Sequence, residues 1–149
     1  MKRILLLIEH RQNCHLLCQW LTENYQVLSP EADGDFVAEG KQLLTQTFDM
    51  CFIDFAAIHQ LRQQMLERRE AEIPIFLPFV FLTSLKEIGL STDHLEPLID
   101  DIIYLPSKKI ELQTKLRVLL RSRSYSLQLQ TAKEQLNDAL SREKELNQL

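Results

Sequence analysis

Any chemistry in this chain would centre on Asp54. It closes the run Phe48-Asp49-Met50-Cys51-Phe52-Ile53-Asp54-Phe55. The run is too short for a typical helix, and its aromatic and β-branched content favours a strand buried on both faces. Open parallel sheets place ligands and reacting groups at the carboxyl ends of their strands, so an acid at that point is positioned to act. Other reactive side chains also follow short apolar runs: Glu9 comes after residues 4–8, and Thr83 and Ser84 end the run from Phe79. Lys108 and Lys109 lie just past Pro106. Cys14 and Cys18 stand four apart with His10 and His15 close by, but no second Cys/His pair occurs at zinc spacing, so they read as core and surface cysteines.

The elements that must position these residues follow from periodicity. Residues 4–8, 25–28, the run to Asp54, 79–84 and 100–106 read as strands. Leu16, Leu17, Trp20 and Leu21 mark an amphipathic helix over 13–24, and Phe36, Val37, Gly40, Leu43 and Leu44 mark a second, which Asp33-Gly34-Asp35 would cap. Ile58, Leu61 and Met65 share a face of a third helix. Gly89 and Pro97 leave only a weak element in 85–99. Leu112, Leu116, Leu119 and Leu120 share a face of a last helix, for which Ser107 is the expected cap. Five strand–helix repeats with right-handed crossovers predict an α/β fold: a flavodoxin-like, doubly wound, five-stranded parallel sheet.

The bulk properties narrow the function. A chain of 149 residues, 45% of them apolar, suits one domain plus an extension. A net charge of −4 argues against a general nucleic-acid role, and no apolar run approaches the roughly 18 residues of a membrane span. The N-terminal apolar run stops at Glu9, too early for a signal peptide, and three cysteines suggest reduced thiols; a cytoplasmic protein is expected. None of the glycines, Gly34, Gly40 and Gly89, forms a phosphate-cradling loop, and Ala56 stands where an Asp54-dependent hydrolase would want a second acid. No catalytic residues are assigned, and a small α/β enzyme is the weakest alternative.

No glycine or proline follows Ser107. Tyr125, Leu129, Ala132, Leu136, Ala139, Glu143 and Leu146 alternate by four and three, the seam of a coiled coil with one acid, Glu143, at a core position. A helix running from Ile110 to the end would span roughly 60 Å. The chain therefore divides into a globular part, 1–122, and a helical connector, 123–149, read either as a solvated tail or as a dimerising helix leading to a further module.

Over residues 3–123 the landmarks resemble the receiver domain of two-component response regulators: Glu9 after the first strand, Asp54 after the third, Thr83-Ser84 after the fourth, and Asp100-Asp101 through Pro106 around the fifth. The resemblance implies a phosphoacceptor at Asp54, a Mg²⁺ ion held by Glu9 and Asp54, and a phosphate-contacting switch hydroxyl at Thr83, with Ser84 beside it. It also implies a sensor histidine kinase or attached output domain as partner, and a homodimer. Three positions depart from the pattern. The acidic pair of the family appears as Ile8-Glu9, the lysine before the last-strand proline is Leu105, and the turn after the acceptor is Phe55-Ala56-Ala57. Phosphoryl transfer depends on positioning and charge neutralisation, with about 3–4 kcal/mol at stake per lost donor. Lys108 and Lys109 are the substitutes within reach of the missing lysine. The expectation is therefore a signalling receiver, functional or degenerate; the alternative is a phosphorylation-independent interaction and dimerisation module.

Overall fold

The computed structural model describes residues 1–84, 95 and 97–148. The weak segment expected within 85–99 falls largely outside them. Among the described residues nine elements follow in order: β1 (Arg3–Leu7), α1 (Arg11–Leu21), β2 (Gln26–Leu28), α2 (Phe36–Leu43), β3 (Met50–Ile53), α3 (Phe55–Glu72), β4 (Phe79–Ser84), β5 (Asp101–Leu105) and α4 (Lys109–Asn147). The strands form one parallel sheet in the order β2-β1-β3-β4-β5.

Alternation along the strands divides the core in two. Leu5, Leu7, Cys51, Ile53, Phe79 and Phe81 point to one side, where α2 and α3 cover them with Leu44, Ile58, Leu61 and Met65. Ile4, Leu6, Met50, Phe52, Val80 and Leu82 point to the other, where Leu17 and Leu21 of α1 and Leu112, Leu116 and Leu120 of α4 close over them. Such strands are near-continuous apolar runs because both faces are buried. Each fully buried aliphatic or aromatic side chain contributes about 1.5–3 kcal/mol. Gly40 lets α2 approach α3: a Cβ there would lie 2.6 Å from a methyl of Leu61.

Polar clamps close the end of the sheet opposite Asp54. Arg68 donates to the carbonyls of Leu44 and Gln46 at 2.6 Å each and lies 4.5 Å from the centre of the Phe48 ring. Arg69 grips Asp100 through two bonds of 2.6 and 2.9 Å, and Asp100 also accepts from the Phe79 amide. Asp100, a strand landmark in the sequence, thus serves the base of the sheet.

The last helix runs unbroken for 39 residues. Its N-cap is Lys108, which makes no side-chain capping bond, whereas Ser107, the expected cap, bonds the Glu111 carboxylate at 3.1 Å instead. Arg123 is 7% exposed, Asp49 accepts from its Nε at 3.3 Å, and its Nη1 donates to the Phe76 carbonyl. Ser126 Oγ accepts from the Phe76 amide at 2.9 Å. Arg123 therefore belongs to the docking of α4. Lys115 is likewise turned inward, to Asp101 and the Ile102 carbonyl.

Candidate functional site

The strand order reverses between β1 and β3, and at such switch points the loops after adjacent strands diverge and leave a crevice. Leu7 pairs with Ile53 at the ends of the two strands, so the loop 8–10 and Asp54 meet at this crevice. Ser84 pairs with Leu105 at the corresponding ends of β4 and β5. The result is a cavity of about 520 Å³ whose lining includes Glu9, His10, Asp54, Thr83, Ser84 and Leu105. Phe55 also walls it, its ring 6.3 Å from that of Phe81.

Asp54 is bound on both oxygens. Oδ1 accepts from the Ala57 amide at 2.9 Å, making Asp54 the N-cap of α3. Oδ2 accepts from the amides of Glu9 at 2.8 Å and His10 at 3.2 Å. A carboxylate offers about four lone-pair directions, so three are filled by backbone donors and one, on Oδ1, is left. Such bonds to an ionised acceptor are stronger than neutral ones. His10 in turn caps α1, its Nδ1 accepting from the Asn13 amide. One aspartate thereby fixes the start of α3 and the loop that leads into α1.

The other predicted site residues divide in two groups. Thr83 is buried, and its hydroxyl lies 3.5 Å from the Ser84 carbonyl; both residues line the Asp54 cavity. The Glu9 backbone binds Asp54, while its side chain accepts from Gln60 Nε2 at 3.1 Å. Lys108 and Lys109 do not line the cavity, and Lys109 Nζ lies 3.5 Å from Glu23. Leu105 presents an apolar chain at the position where the resemblance implies a lysine.

The donor set does not fit Mg²⁺, which demands a near-octahedral shell of six oxygens. Asp54 Oδ2 already holds two amides, one Glu9 oxygen holds Gln60, and no group of three or more acidic, histidine or cysteine side chains among the described residues is arranged to hold a metal.

The cysteines stand apart from this chemistry. Cys51 is wholly buried on β3, and burial pushes its thiol well above the ordinary range. Burial also raises Cys14, with smaller contributions from Cys18 and from the negative charge of Asp54. Thiols held protonated are poor nucleophiles. Cys14 and Cys18 border a larger cavity, about 800 Å³, between α1 and the β2–α2 connection, which shares only Glu9 with the Asp54 cavity.

The sequence signal pointed to side chains, and the residues it missed act through the main chain or through structural polar contacts. The amides of Glu9, His10 and Ala57 carry no side-chain signature. His10 and Gln60 had no motif to mark them.

No family model matches the sequence, and no curated protein does. Solved structures do match. NtrX from Brucella abortus, solved with ADP, aligns with a TM-score of 0.70 and 16% identity over 92% of this chain, which spans 30% of that one. A CheY-like response regulator receiver domain protein from Methanospirillum hungatei aligns at 0.64 and 17% identity, covering 84% of this chain and 98% of its own. A third structure, described as belonging to a family of redox sensors in the streptococci that evolved from two-component response regulators, aligns at 0.65 and 18% identity, over 86% of this chain and 55% of that one. The fold is that of the response regulator receiver domain, a five-stranded parallel sheet extended here by one long C-terminal helix.

Proposed function

We propose that this chain is a degenerate receiver module of two-component signalling, in which Asp54 serves as a structural latch and the state of the domain is set by protein contacts. The observation that carries this reading is the carboxylate itself. Three of its lone-pair directions are filled by backbone amides, and Leu105 stands in place of a charge-neutralising cation. An acceptor so engaged, with a sparse metal-ligand set and an apolar Leu105 at the lysine position, lacks the electrostatic stabilisation that phosphoryl transfer needs. The family of redox sensors evolved from response regulators, to which one structural neighbour is assigned, supports the idea that this frame can serve inputs other than phosphate. In this reading the module dimerises through α4 and passes its state along that helix to an attached output domain, such as a kinase. The shift would be a two-state one, in which a partner favours one arrangement of the loops around Asp54.

A second reading, phosphorylation of Asp54 by a sensor histidine kinase with Mg²⁺, is favoured by the meeting of Asp54 and Thr83 at one cavity and by the remaining lone pair on Oδ1. Incubation of wild type and Asp54→Asn with Mg²⁺ and a small-molecule phosphodonor, followed by intact-mass measurement, separates the two. The first reading expects no phosphoryl adduct on either protein. An adduct on wild type alone would establish the second and make Lys108 the next residue to replace, Lys109 being paired with Glu23.

A further inference from the structure

We infer that Cys14 and Cys18 form a site for one soft, two-coordinate metal ion, Cu(I), held between their thiolates in the cavity between α1 and the β2–α2 connection. The inference is independent of whether Asp54 is phosphorylated.

The first observation is placement. Residues four apart on a helix share a face, with about 5–6 Å between their Cβ atoms. Cys14 and Cys18 stand four apart on α1, both are partly buried, and both line the same cavity of about 800 Å³. Burial raises the Cys14 thiol and the charge of Cys18 raises it further, as neighbouring sulfurs on one face do. Both cysteines also pack against the core that contains Leu17 and Leu21, which holds this face of the helix in place. A disulfide needs its Cβ atoms about 3.5–4.5 Å apart, closer than successive turns of an intact helix bring them. The pair therefore stays a dithiol while α1 is folded.

The second observation is ligand count. Soft sulfur ligands select Cu(I), Zn²⁺ and iron–sulfur clusters. Structural zinc takes four ligands, and iron–sulfur clusters take four cysteines. Among the described residues no group of three or more histidine, cysteine or acidic side chains is arranged to hold a metal. Two thiols without a third donor suit an ion that two ligands satisfy, which points to Cu(I). A zinc–thiolate bond is about 2.3 Å, and a linear ion with bonds of that order spans about 4.6 Å between sulfurs, a distance that one helical turn supplies. Ile8, Pro30 and Phe36 wall the same cavity with apolar surface, which suits a soft ion better than a hard, strongly hydrated one such as Mg²⁺. Binding replaces two S–H bonds with two S–Cu bonds and releases two protons, with no change of oxidation state.

The test is anaerobic titration of the full, reduced chain with Cu(I) against a colorimetric Cu(I) chelator, followed by X-ray absorption at the copper edge. Wild type should take up one ion with two sulfur neighbours. Cys14→Ser and Cys18→Ser should each weaken binding by at least about a hundredfold, since the loss of a mere supporting contact at a metal site already costs about 10–100-fold. Cys18→Ser combined with Gln19→Cys keeps the number of thiols but moves one off the shared face, and should bind as weakly as Cys18→Ser alone. Cys14 and Cys18 are only partly buried and Gln19 is exposed, so circular dichroism should show every variant folded. Zn²⁺, offered two of the four ligands it takes, should bind more weakly than Cu(I). A wild type that yields Cu(I) to the chelator as readily as the serine variants would overturn the site. Undiminished binding by the displaced-thiol variant, or nitrogen or further sulfur neighbours at the copper, would overturn it equally.

Discussion

At the scale of single residues, Asp54 is the point on which the site depends. Its carboxylate caps α3 and also holds two amides of the loop between β1 and α1. Replacement by alanine removes a cap, ordinarily about 0.5–2 kcal/mol, and leaves the Glu9 and His10 amides without their acceptor. Asp54→Ala should lower stability by about 2–3 kcal/mol in urea unfolding, an effect that a bare phosphoacceptor at the surface would not produce. Cys51 gives a pH signature. Its folded-state pKa is raised by burial above the ordinary value of 9.0, so its contribution is complete below that value and is lost as pH rises toward the folded-state pKa. Unfolding free energy should fall above about pH 9 by up to roughly 1.4 kcal/mol per pH unit, and Cys51→Ala should show a shallower slope. The position of Asp54 was legible because an acid after a short buried run is a side-chain pattern. Its three partners were not legible, since any residue supplies a backbone N–H.

At the scale of elements, the attachment of α4 decides how the module is built. Arg123 reaches Asp49 at the start of β3 and the Phe76 carbonyl before β4, and Ser126 takes the Phe76 amide. Asp49 also accepts from the Arg3 amide at 2.8 Å, so one acid ties β1, β3 and α4 together. Removing one member of a buried pair costs about 3–5 kcal/mol; with the Asp49 side chain 19% exposed, Arg123→Met should cost about 2–3 kcal/mol. Hydrogen exchange should show the loss concentrated at residues 121–130 rather than in the sheet. The five strands and the four helices among the described residues were readable from periodicity, because the strands are buried on both faces and the helices on one. The pairing of Arg123 was not. Arg123 stands among Lys115, Arg117 and Arg121 on the same helix, with nothing in its spacing to set it apart, and its partner lies 74 positions earlier in the chain. The start of α4 was displaced by one residue for a local reason: Ser107 reaches the Glu111 carboxylate rather than the helix amides.

For the whole molecule, the two ends of the sheet have separate tasks. The carboxyl ends of the strands hold the Asp54 latch, and the opposite end holds Arg69–Asp100, Arg123–Asp49 and the emergence of α4. The sequence made the globular frame legible, since its strands and helices repeat with a fixed period. It did not show that Tyr125, Leu129 and Leu136 face away from the domain, because that depends on which stripe of α4 the sheet takes. The docking of Ser126 has a mechanical consequence. Beyond that residue the helix continues to Asn147, a lever arm of about 30 Å. A tilt of about 10° at its anchored base would carry the far end through roughly 5 Å, close to one helical turn. A rearrangement at the anchor too slight to disturb the sheet would thus arrive at the tip as a displacement large enough to change what meets there.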